Sequence, residues 1–264
     1  MPTLRASAIL AVFLAVTFAL MPVQALGVLL GLPYRRSLPH AYHRFVASLF
    51  GIRIRLLGEP IQKRGTLLLA NHTGWLDIVI FSAVMPLSFV AKSEVADWPF
   101  FGTLAKLQRT VFVARARRSE TGQVRDTIRE RLANGETLVL FPEGTSSDGN
   151  AVLPFKSALL GAAAGETGMI VQPVSTAYTG IHGIPMGREN RPLFAWYGDM
   201  ELVPHLWEAL KAGPLDVVVE FHPPLTETDR KELARQAERL VRNGHIRALA
   251  GTLNSKTRPP ITQP

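Results

Sequence analysis

Runs of apolar residues divide the chain into one long uncharged segment and a series of short ones. The long run covers residues 6–32 and contains no charged side chain. A helix needs roughly 20 apolar residues to cross a bilayer, so the run is long enough. Pro22, Gly27 and Gly31 weaken its second half as a straight helix. The pattern predicts a hydrophobic membrane segment over residues 1–33, either a short span or a hairpin that re-enters one leaflet.

Two other interpretations of this segment remain open. Arg5, the apolar run and residues 23–25 imitate the three regions of a cleaved signal peptide, although the run continues to Leu32. A buried helix of a soluble protein is the other alternative. More arginines follow the run than precede it, which by the positive-inside rule places the C-terminal side in the cytoplasm. We expect a protein of the cytoplasmic membrane whose main domain faces the cytoplasm.

Apolar residues recur at helical spacing between Leu38 and Phe50, with arginines and histidines among them. This pattern predicts a basic amphipathic helix. Such a helix either lies on anionic headgroups or packs its apolar stripe against the domain.

The rest of the chain alternates short apolar runs with helical patterns. The predicted strands cover residues 52–57, 66–70, 88–91, 110–113, 137–141, 169–175 and 216–221. The predicted helices cover residues 74–84, 98–107, 119–133, 155–164, 201–211 and 229–249. Such alternation indicates an α/β domain over residues 34–253, with a mainly parallel sheet flanked by helices. The proline-rich tail, residues 254–264, is expected to be disordered.

Composition narrows the class of partner. The chain is 47% apolar and has no cysteine, which excludes a disulfide scaffold, a thiol nucleophile and a zinc–thiolate site. Residues 1–64 carry eight basic side chains and one acidic one, so they account for most of the net charge of +8. These cations flank the apolar segment, which indicates an anionic bilayer rather than nucleic acid. The histidines are dispersed, so no metal site is predicted.

Two predicted strand ends carry residues suited to chemistry, at the edge where parallel sheets collect their functional groups. One continues as Asn71, His72 and, five residues later, Asp77; the other continues as Pro-Glu-Gly-Thr at 142–145. Histidine has an ordinary pKa near neutrality and suits proton abstraction. A carboxylate on its other ring nitrogen would fix the tautomer. If a helix begins just after His72, Asp77 can reach back to the imidazole.

With two further segments, these motifs resemble those of the glycerolipid acyltransferase family. The family motifs match Asn71-His72-x4-Asp77 and residues 111–115, 141–145 and 171–174, in that order. The resemblance covers about residues 40–225. It implies transfer of a fatty acyl group from an acyl thioester to the free hydroxyl of a lysolipid. Acyl-carrier protein or coenzyme A would carry the acyl group as co-substrate, and no resident cofactor is implied.

The resemblance also assigns roles to individual residues. His72 would be the general base that takes the proton of the acceptor hydroxyl, and Asp77 would orient it. The acceptor pocket would be shaped by three consecutive residues, Glu143, Gly144 and Thr145. Arg115 would bind an anionic headgroup, and Lys156 is a second candidate cation. For both cations, a solvated surface side chain is the alternative.

One departure from the family pattern bears on the acceptor. Members that recognise phosphate read Glu-Gly-Thr-Arg, whereas this chain has Ser146 in place of the arginine. Lysophosphatidate, which would yield phosphatidic acid, is still the first acceptor expected, because Arg115 and Lys156 could bind it. Residues 146–149 and 197–205 also resemble the branch that includes lyso-ornithine lipid acyltransferases, so lyso-ornithine lipid is the second. A non-catalytic lipid-binding membrane protein is the alternative of another class.

Overall fold

A computed structural model of the chain describes residues 2–61, 65–113, 120–162 and 170–252. The α-helices are α1 (Pro2–Leu29), α2 (Ser37–Phe50), α3 (Leu76–Val84), α4 (Phe101–Leu107), α5 (Glu120–Ala133), α6 (Leu202–Ala212) and α7 (Arg230–Leu249). The strands are β1 (Ile52–Leu57), β2 (Thr66–Ala70), β3 (Ser88–Lys92), β4 (Val111–Val113), β5 (Thr137–Leu140), β6 (Ile170–Ile181), β7 (Ile184–Pro185) and β8 (Leu215–Phe221). The predicted tail, 254–264, lies outside the described residues.

The described strands form one sheet in the order β1-β8-β6-β2-β5-β3-β4, with β7 paired to β6. The neighbours from β6 to β4 are parallel, whereas β6 and β8 are antiparallel. The prediction of a mainly parallel sheet flanked by helices is confirmed. The strand predicted at 169–175 was too short, because β6 continues to Ile181 along β8. This extension has polar and small residues whose partners are distant in sequence, so local pattern did not reveal it.

The central strand β2 explains why helices cover both faces of the sheet. All five of its residues are buried, as expected for a strand enclosed on both sides. Leu68 packs into the core shared with α1, α2 and α3. Leu67 and Leu69 pack into the opposite core, with α5 and α7. The domain therefore has three layers, helix–sheet–helix.

Two helix predictions need correction. Residues 155–164 were predicted as a helix, but the described part of this segment is a short 3-10 turn, Ser157–Ala162. Pro22, Gly27 and Gly31 were expected to weaken the second half of the apolar run, yet α1 is continuous to Leu29. Gln24 supports that half, since its Nε2 donates to the carbonyl oxygens of Leu107 and Arg35 at 2.8 and 3.0 Å.

One face of α1 packs along the domain. Ile9 and Phe13 join the core that contains Phe50 of α2, and Arg5 Nη1 donates to the Leu210 carbonyl at 3.3 Å. The opposite face exposes apolar side chains, including Leu29 at 80% exposure. Among the described residues α1 is the one helix that is long and apolar enough to cross a membrane.

The amphipathic pattern of α2 is satisfied largely within the domain. Val46, Ala47 and Phe50 are buried, and the helix packs against α3 and β1. Phe45 is exposed on the other side. Packing on the domain therefore accounts for the apolar stripe. Arg44 is exposed, whereas His43 lines the apolar cavity beneath α1 and His40 Nδ1 bonds to the Ser82 carbonyl at 2.7 Å.

Gly58, which ends β1, should tolerate no side chain. Its φ of +68° is in the left-handed region, and a Cβ there would lie 2.1 Å from the Phe221 carbonyl oxygen. We expect Gly58→Ala to lower the free energy of unfolding by about 2–5 kcal/mol, from strain plus overpacking. Gly198→Ala is the matched control, because its φ is +61° and nothing lies within 4 Å; it should cost only about 1–2 kcal/mol. Equal losses in chemical denaturation would contradict the clash.

Candidate active site

A buried carboxylate organises the loop that follows β2. Asp77, in the first turn of α3, has 0% exposure. The Nδ1–H of His72 donates to its Oδ2 at 2.8 Å, and the backbone N–H groups of Thr73 and Gly74 donate to the same oxygen at 2.6 and 3.1 Å. The Tyr178 hydroxyl donates to Oδ1 at 2.9 Å. With four donors, the charge of a buried carboxylate is compensated.

Pairing between β2 and β6 places this loop. The side chain of Asn71 continues the hydrogen bonding between β2 and β6. Its Nδ2 donates to the Thr176 carbonyl at 2.9 Å, and the Thr176 N–H donates to its Oδ1 at 2.8 Å. Beyond this point β6 shifts register between Tyr178 and Gly180. Such a bulge changes the direction of nearby side chains, and Tyr178 reaches Asp77 beside it.

The loop after β5 contacts the His72 loop directly. The Ser147 N–H donates to the His72 carbonyl at 2.9 Å, and the His72 N–H donates to Glu143 Oε1 at 3.3 Å. The Phe141 ring stacks on the imidazole with ring centroids 4.0 Å apart. These contacts hold the backbone and one ring face of His72, whose side chain keeps 21% exposure. With Nδ1–H directed at Asp77, Nε2 is left to accept a proton.

Glu143 is the second buried carboxyl group of the site. It is 1% exposed, and its Oε2 has no hydrogen-bond partner among the described residues. Burial raises the pKa of Glu143 to about 9, and the nearby charge of Asp77 contributes to the increase. Glu143 is therefore protonated at neutral pH.

An apolar cavity of about 230 Å³ lies beneath α1. Its walls come from α1, α2, α3, β3, α4 and α6. Phe89 connects it to the site, because its ring stacks on Phe141 with centroids 6.2 Å apart. The polar side chains in the wall include Thr17 and Tyr42, whose hydroxyls bond to each other at 2.6 Å. The cavity can therefore accept a hydrocarbon chain.

The structure brings together most of the residues that the sequence pointed to. His72 contacts both Asp77 and Glu143 directly, and Gly144, with φ of +69°, is in the turn at the start of the loop after β5. Thr145 lies in the same loop and is exposed.

Of the two candidate cations, the structure describes Lys156 but not Arg115. The Lys156 N–H donates to the Pro142 carbonyl at 2.9 Å, which places its backbone beside the loop, and its side chain is exposed. Arg115 lies outside the described residues. The roles of all these residues stay predictions. Asn71 does not cap α3, which begins after Trp75; its side-chain hydrogen bonds to Thr176 position the loop instead.

Sequence reasoning missed three contributors to the site. Tyr178 is distant from both motifs, and only the β2–β6 pairing brings it to Asp77. Phe141 belongs to a recognised motif, but its stacking on His72 has no signature in sequence. Trp75 lines the cavity and donates from Nε1 to His205 Nδ1 at 3.0 Å. A tryptophan inside the Asn71-His72-x4-Asp77 motif was the one available signal.

Comparison with known proteins identifies the class of enzyme. Residues 53–177 match the family model named Acyltransferase. The lyso-ornithine lipid O-acyltransferase of Brucella abortus (strain 2308) is 51% identical over 249 residues, which cover 91% of this chain and 93% of that protein. The 1-acyl-sn-glycerol-3-phosphate acyltransferase of Neisseria gonorrhoeae is 36% identical over 162 residues, 61% of each chain.

A solved structure agrees with the fold. The crystal structure of the 1-acyl-sn-glycerophosphate acyltransferase PlsC from Thermotoga maritima superposes with a TM-score of 0.66 at 23% identity, covering 97% of this chain and 100% of that one. The chain belongs to the acyltransferase family, and it is an acyltransferase.

Removing the imidazole tests its role as general base. We expect His72→Ala to lower kcat by about 10²–10⁴-fold, while Tm stays near that of the parent protein because the side chain is partly exposed. Initial rates with saturating substrates and a melting curve on the same preparation measure both. A variant that retains most of its kcat would exclude His72 as the base.

The protonated state of Glu143 predicts a dependence of stability on pH. Its pKa is higher in the folded chain, so its contribution is complete below the ordinary value of 4.5 and is lost as the pH rises through about 9. We expect Glu143→Gln to remove this decline, since a glutamine does not ionise. Unfolding free energies measured across that window, with the exposed Glu201→Gln as control, test the prediction. A decline that persists unchanged in Glu143→Gln would contradict it.

Proposed function

We propose that the protein transfers a fatty acyl group from an acyl thioester to the free hydroxyl of lyso-ornithine lipid. The observation that carries this proposal is 51% identity to a relative of that name, over nearly the whole of both chains. The relative that acts on 1-acyl-sn-glycerol-3-phosphate is less similar and is matched over a shorter span. The order of acceptors expected from sequence is therefore reversed, and lysophosphatidate becomes the alternative.

The proposed reaction uses His72 as general base. Nε2 takes the proton of the acceptor hydroxyl as its oxygen attacks the thioester carbonyl. The tetrahedral intermediate then collapses: the new ester forms, the carbon–sulfur bond breaks, and the imidazolium returns its proton to the departing thiolate. Asp77 stabilises the imidazolium through the 2.8 Å hydrogen bond to Nδ1. Because Glu143 is neutral, it adds no negative charge where the oxyanion develops.

The apolar cavity beneath α1 is the proposed site for the transferred acyl chain. Phe89 in its lining contacts the Phe141 ring, which stacks on the imidazole of His72. The lining of the cavity is almost wholly apolar, so a hydrocarbon chain gains the hydrophobic contribution of about 0.8 kcal/mol per buried CH₂. A polar co-substrate would gain nothing there.

The basic N-terminal quarter and the apolar face of α1 support proposals for the acyl donor and for the membrane. Acyl-carrier protein and coenzyme A are both anionic, so the basic N-terminal quarter of the chain suits either as thioester donor. The apolar outer face of α1, with Leu26 and Leu29 exposed, suits burial in the inner membrane, with the catalytic domain on the cytoplasmic side.

Acidic character in the loop after β5 favours an acceptor that carries an amine. Ser146 stands where phosphate-recognising members carry arginine, and Asp148 follows Ser147, which holds the His72 carbonyl. Burial alone would raise the pKa of Asp148, but hydrogen bonds from Asn150 and the charge of Arg188 hold it below its ordinary value. A carboxylate here attracts the ammonium group of an ornithine headgroup and repels a phosphate monoester.

The acceptor is tested with the purified enzyme in vesicles, labelled acyl thioester and two acceptors, lyso-ornithine lipid and lysophosphatidate. We expect labelled ornithine lipid as the main product. We also expect Asp148→Asn to raise KM for lyso-ornithine lipid by about fivefold, the equivalent of about 1 kcal/mol for a partly exposed ion pair. KM for lysophosphatidate should not rise.

Asp126→Asn is the matched control, because Asp126 is 69% exposed on α5, on the other face of the sheet. It should leave both KM values unchanged. Phosphatidic acid as the main product would overturn the proposed acceptor. Labelled free fatty acid as the main product would indicate hydrolysis instead of transfer.

A further inference from the structure

A second cavity, of about 240 Å³, lies at the edge of the sheet opposite to His72. Its walls are the turn that follows α1, the start of β3 and the start of β5. Thr137 stands on the cavity wall, whereas the other end of β5 leads to Phe141 beneath the imidazole. About 13 Å of strand therefore separates this cavity from the acyl-transfer site.

Arginine dominates this cavity. Its lining contains Arg35, Arg36 and Arg109, with Glu136 as the carboxylate. Glu136 Oε1 accepts from Arg109 at 2.7 Å and pairs with Arg36 at 3.1 Å, while Oε2 accepts from Arg131 at 2.6 Å. One carboxylate thus faces three guanidinium groups.

Arg35 adds a fourth cation. In the described part of the chain, no carboxylate forms an ion pair with its guanidinium. Burial alone would raise the pKa of Glu136, but hydrogen bonds from Arg109 and Arg131 bring it below its ordinary value, so the carboxylate is already ionised. The positive excess therefore cannot be relieved by Glu136. Partly buried cations repel each other unless a bound anion compensates their charge.

The backbone holds Arg109 in a conformation that arginine seldom adopts. Its φ is +63°, and its carbonyl oxygen accepts a hydrogen bond from Arg131 Nη1. The same Arg131 also binds Glu136, so Arg131 holds both the Arg109 backbone and the carboxylate in place. Strained residues of this kind persist where the surroundings hold them, commonly at ligand sites.

The cavity lies next to an exposed apolar surface at the end of α1. Leu26, Leu29 and Leu30 are exposed at the end of α1, and Arg35 Nη1 lies against Gly31, 2.7 Å from where a Cβ would be. An arginine just beyond an apolar helix end reaches the depth of lipid phosphates. The concave shape fits one headgroup and not the helix of an acidic protein.

We propose that this cavity binds the phosphate of an anionic phospholipid through Arg35, Arg36 and Arg109, with the acyl chains of the lipid lying along the exposed end of α1. The site is separate from the proposed acyl-transfer reaction and does not depend on the identity of its acceptor. Its ligand is a phosphodiester of the surrounding bilayer; free inorganic phosphate is the competing source of the same chemistry.

Native mass spectrometry of the full chain, released from detergent micelles containing equal amounts of phosphatidylglycerol and phosphatidylcholine, tests the proposal. We expect the parent protein to retain one phosphatidylglycerol. Arg35→Gln should retain at least about tenfold less, since a charge-assisted hydrogen bond to phosphate is lost. Arg44→Gln is the matched control: it removes the same charge from the exposed side of α2, outside the cavity lining, and should retain the lipid.

Pro86→Glu provides a second variant that removes no hydrogen bond. Pro86 is an exposed residue of the cavity lining, and a carboxylate there should compete with the phosphate and reduce retention as strongly as Arg35→Gln. Equal losses in Arg35→Gln and Arg44→Gln would mean general charge attraction and would overturn the site. Equal retention of phosphatidylcholine would do the same. Displacement of the lipid by an equal concentration of inorganic phosphate would assign the site to the free anion.

Discussion

The hydrogen bonds to Asp77 are the interaction on which the catalytic half of the structure depends. A carboxylate with 0% exposure would be strongly destabilising without partners. Its four donors come from the loop after β2, from His72 itself and from β6. The requirement to satisfy Asp77 therefore fixes the start of α3, the orientation of the imidazole and the approach of Tyr178. The same contacts that stabilise the fold hold His72 in one orientation.

The two buried carboxyl groups of the site have different surroundings. Asp77 has four donors, whereas Glu143 has an unpartnered Oε2 and a pKa raised to about 9 by burial and by the charge of Asp77. Environments that separate two carboxyl groups in this way commonly define their roles. Here Asp77 accepts a hydrogen bond from the His72 ring, and Glu143 accepts one from the His72 backbone N–H. Under the proposed mechanism, this arrangement keeps negative charge behind the imidazole and away from the thioester carbonyl.

Much of this arrangement could be predicted from the sequence, and the remainder could not for identifiable reasons. The alternation of strands and helices, and the contact of His72 with Asp77 across five residues, depend on local spacing, which the sequence displays. Tyr178 and the register shift beside it depend on β6 pairing with both β2 and β8, and sequence spacing does not encode such pairing. The continuity of α1 through Pro22 depends on Gln24 reaching Leu107, a contact over 83 residues.

Helix α1 connects the chemistry to the membrane in a way that its composition did not indicate. An apolar run before a basic segment predicted an anchor, yet Phe13, Leu20 and Met21 form one wall of the apolar cavity beneath α1. If the acyl chain occupies that cavity, the helix that would associate with the bilayer also shields the chain from water. Loss of α1 would then remove substrate-binding surface as well as membrane affinity. The outer face of α1 would then contact the hydrocarbon of the bilayer, and its inner face would contact the acyl chain. Both faces are apolar for the same reason, which is that each keeps hydrocarbon out of water.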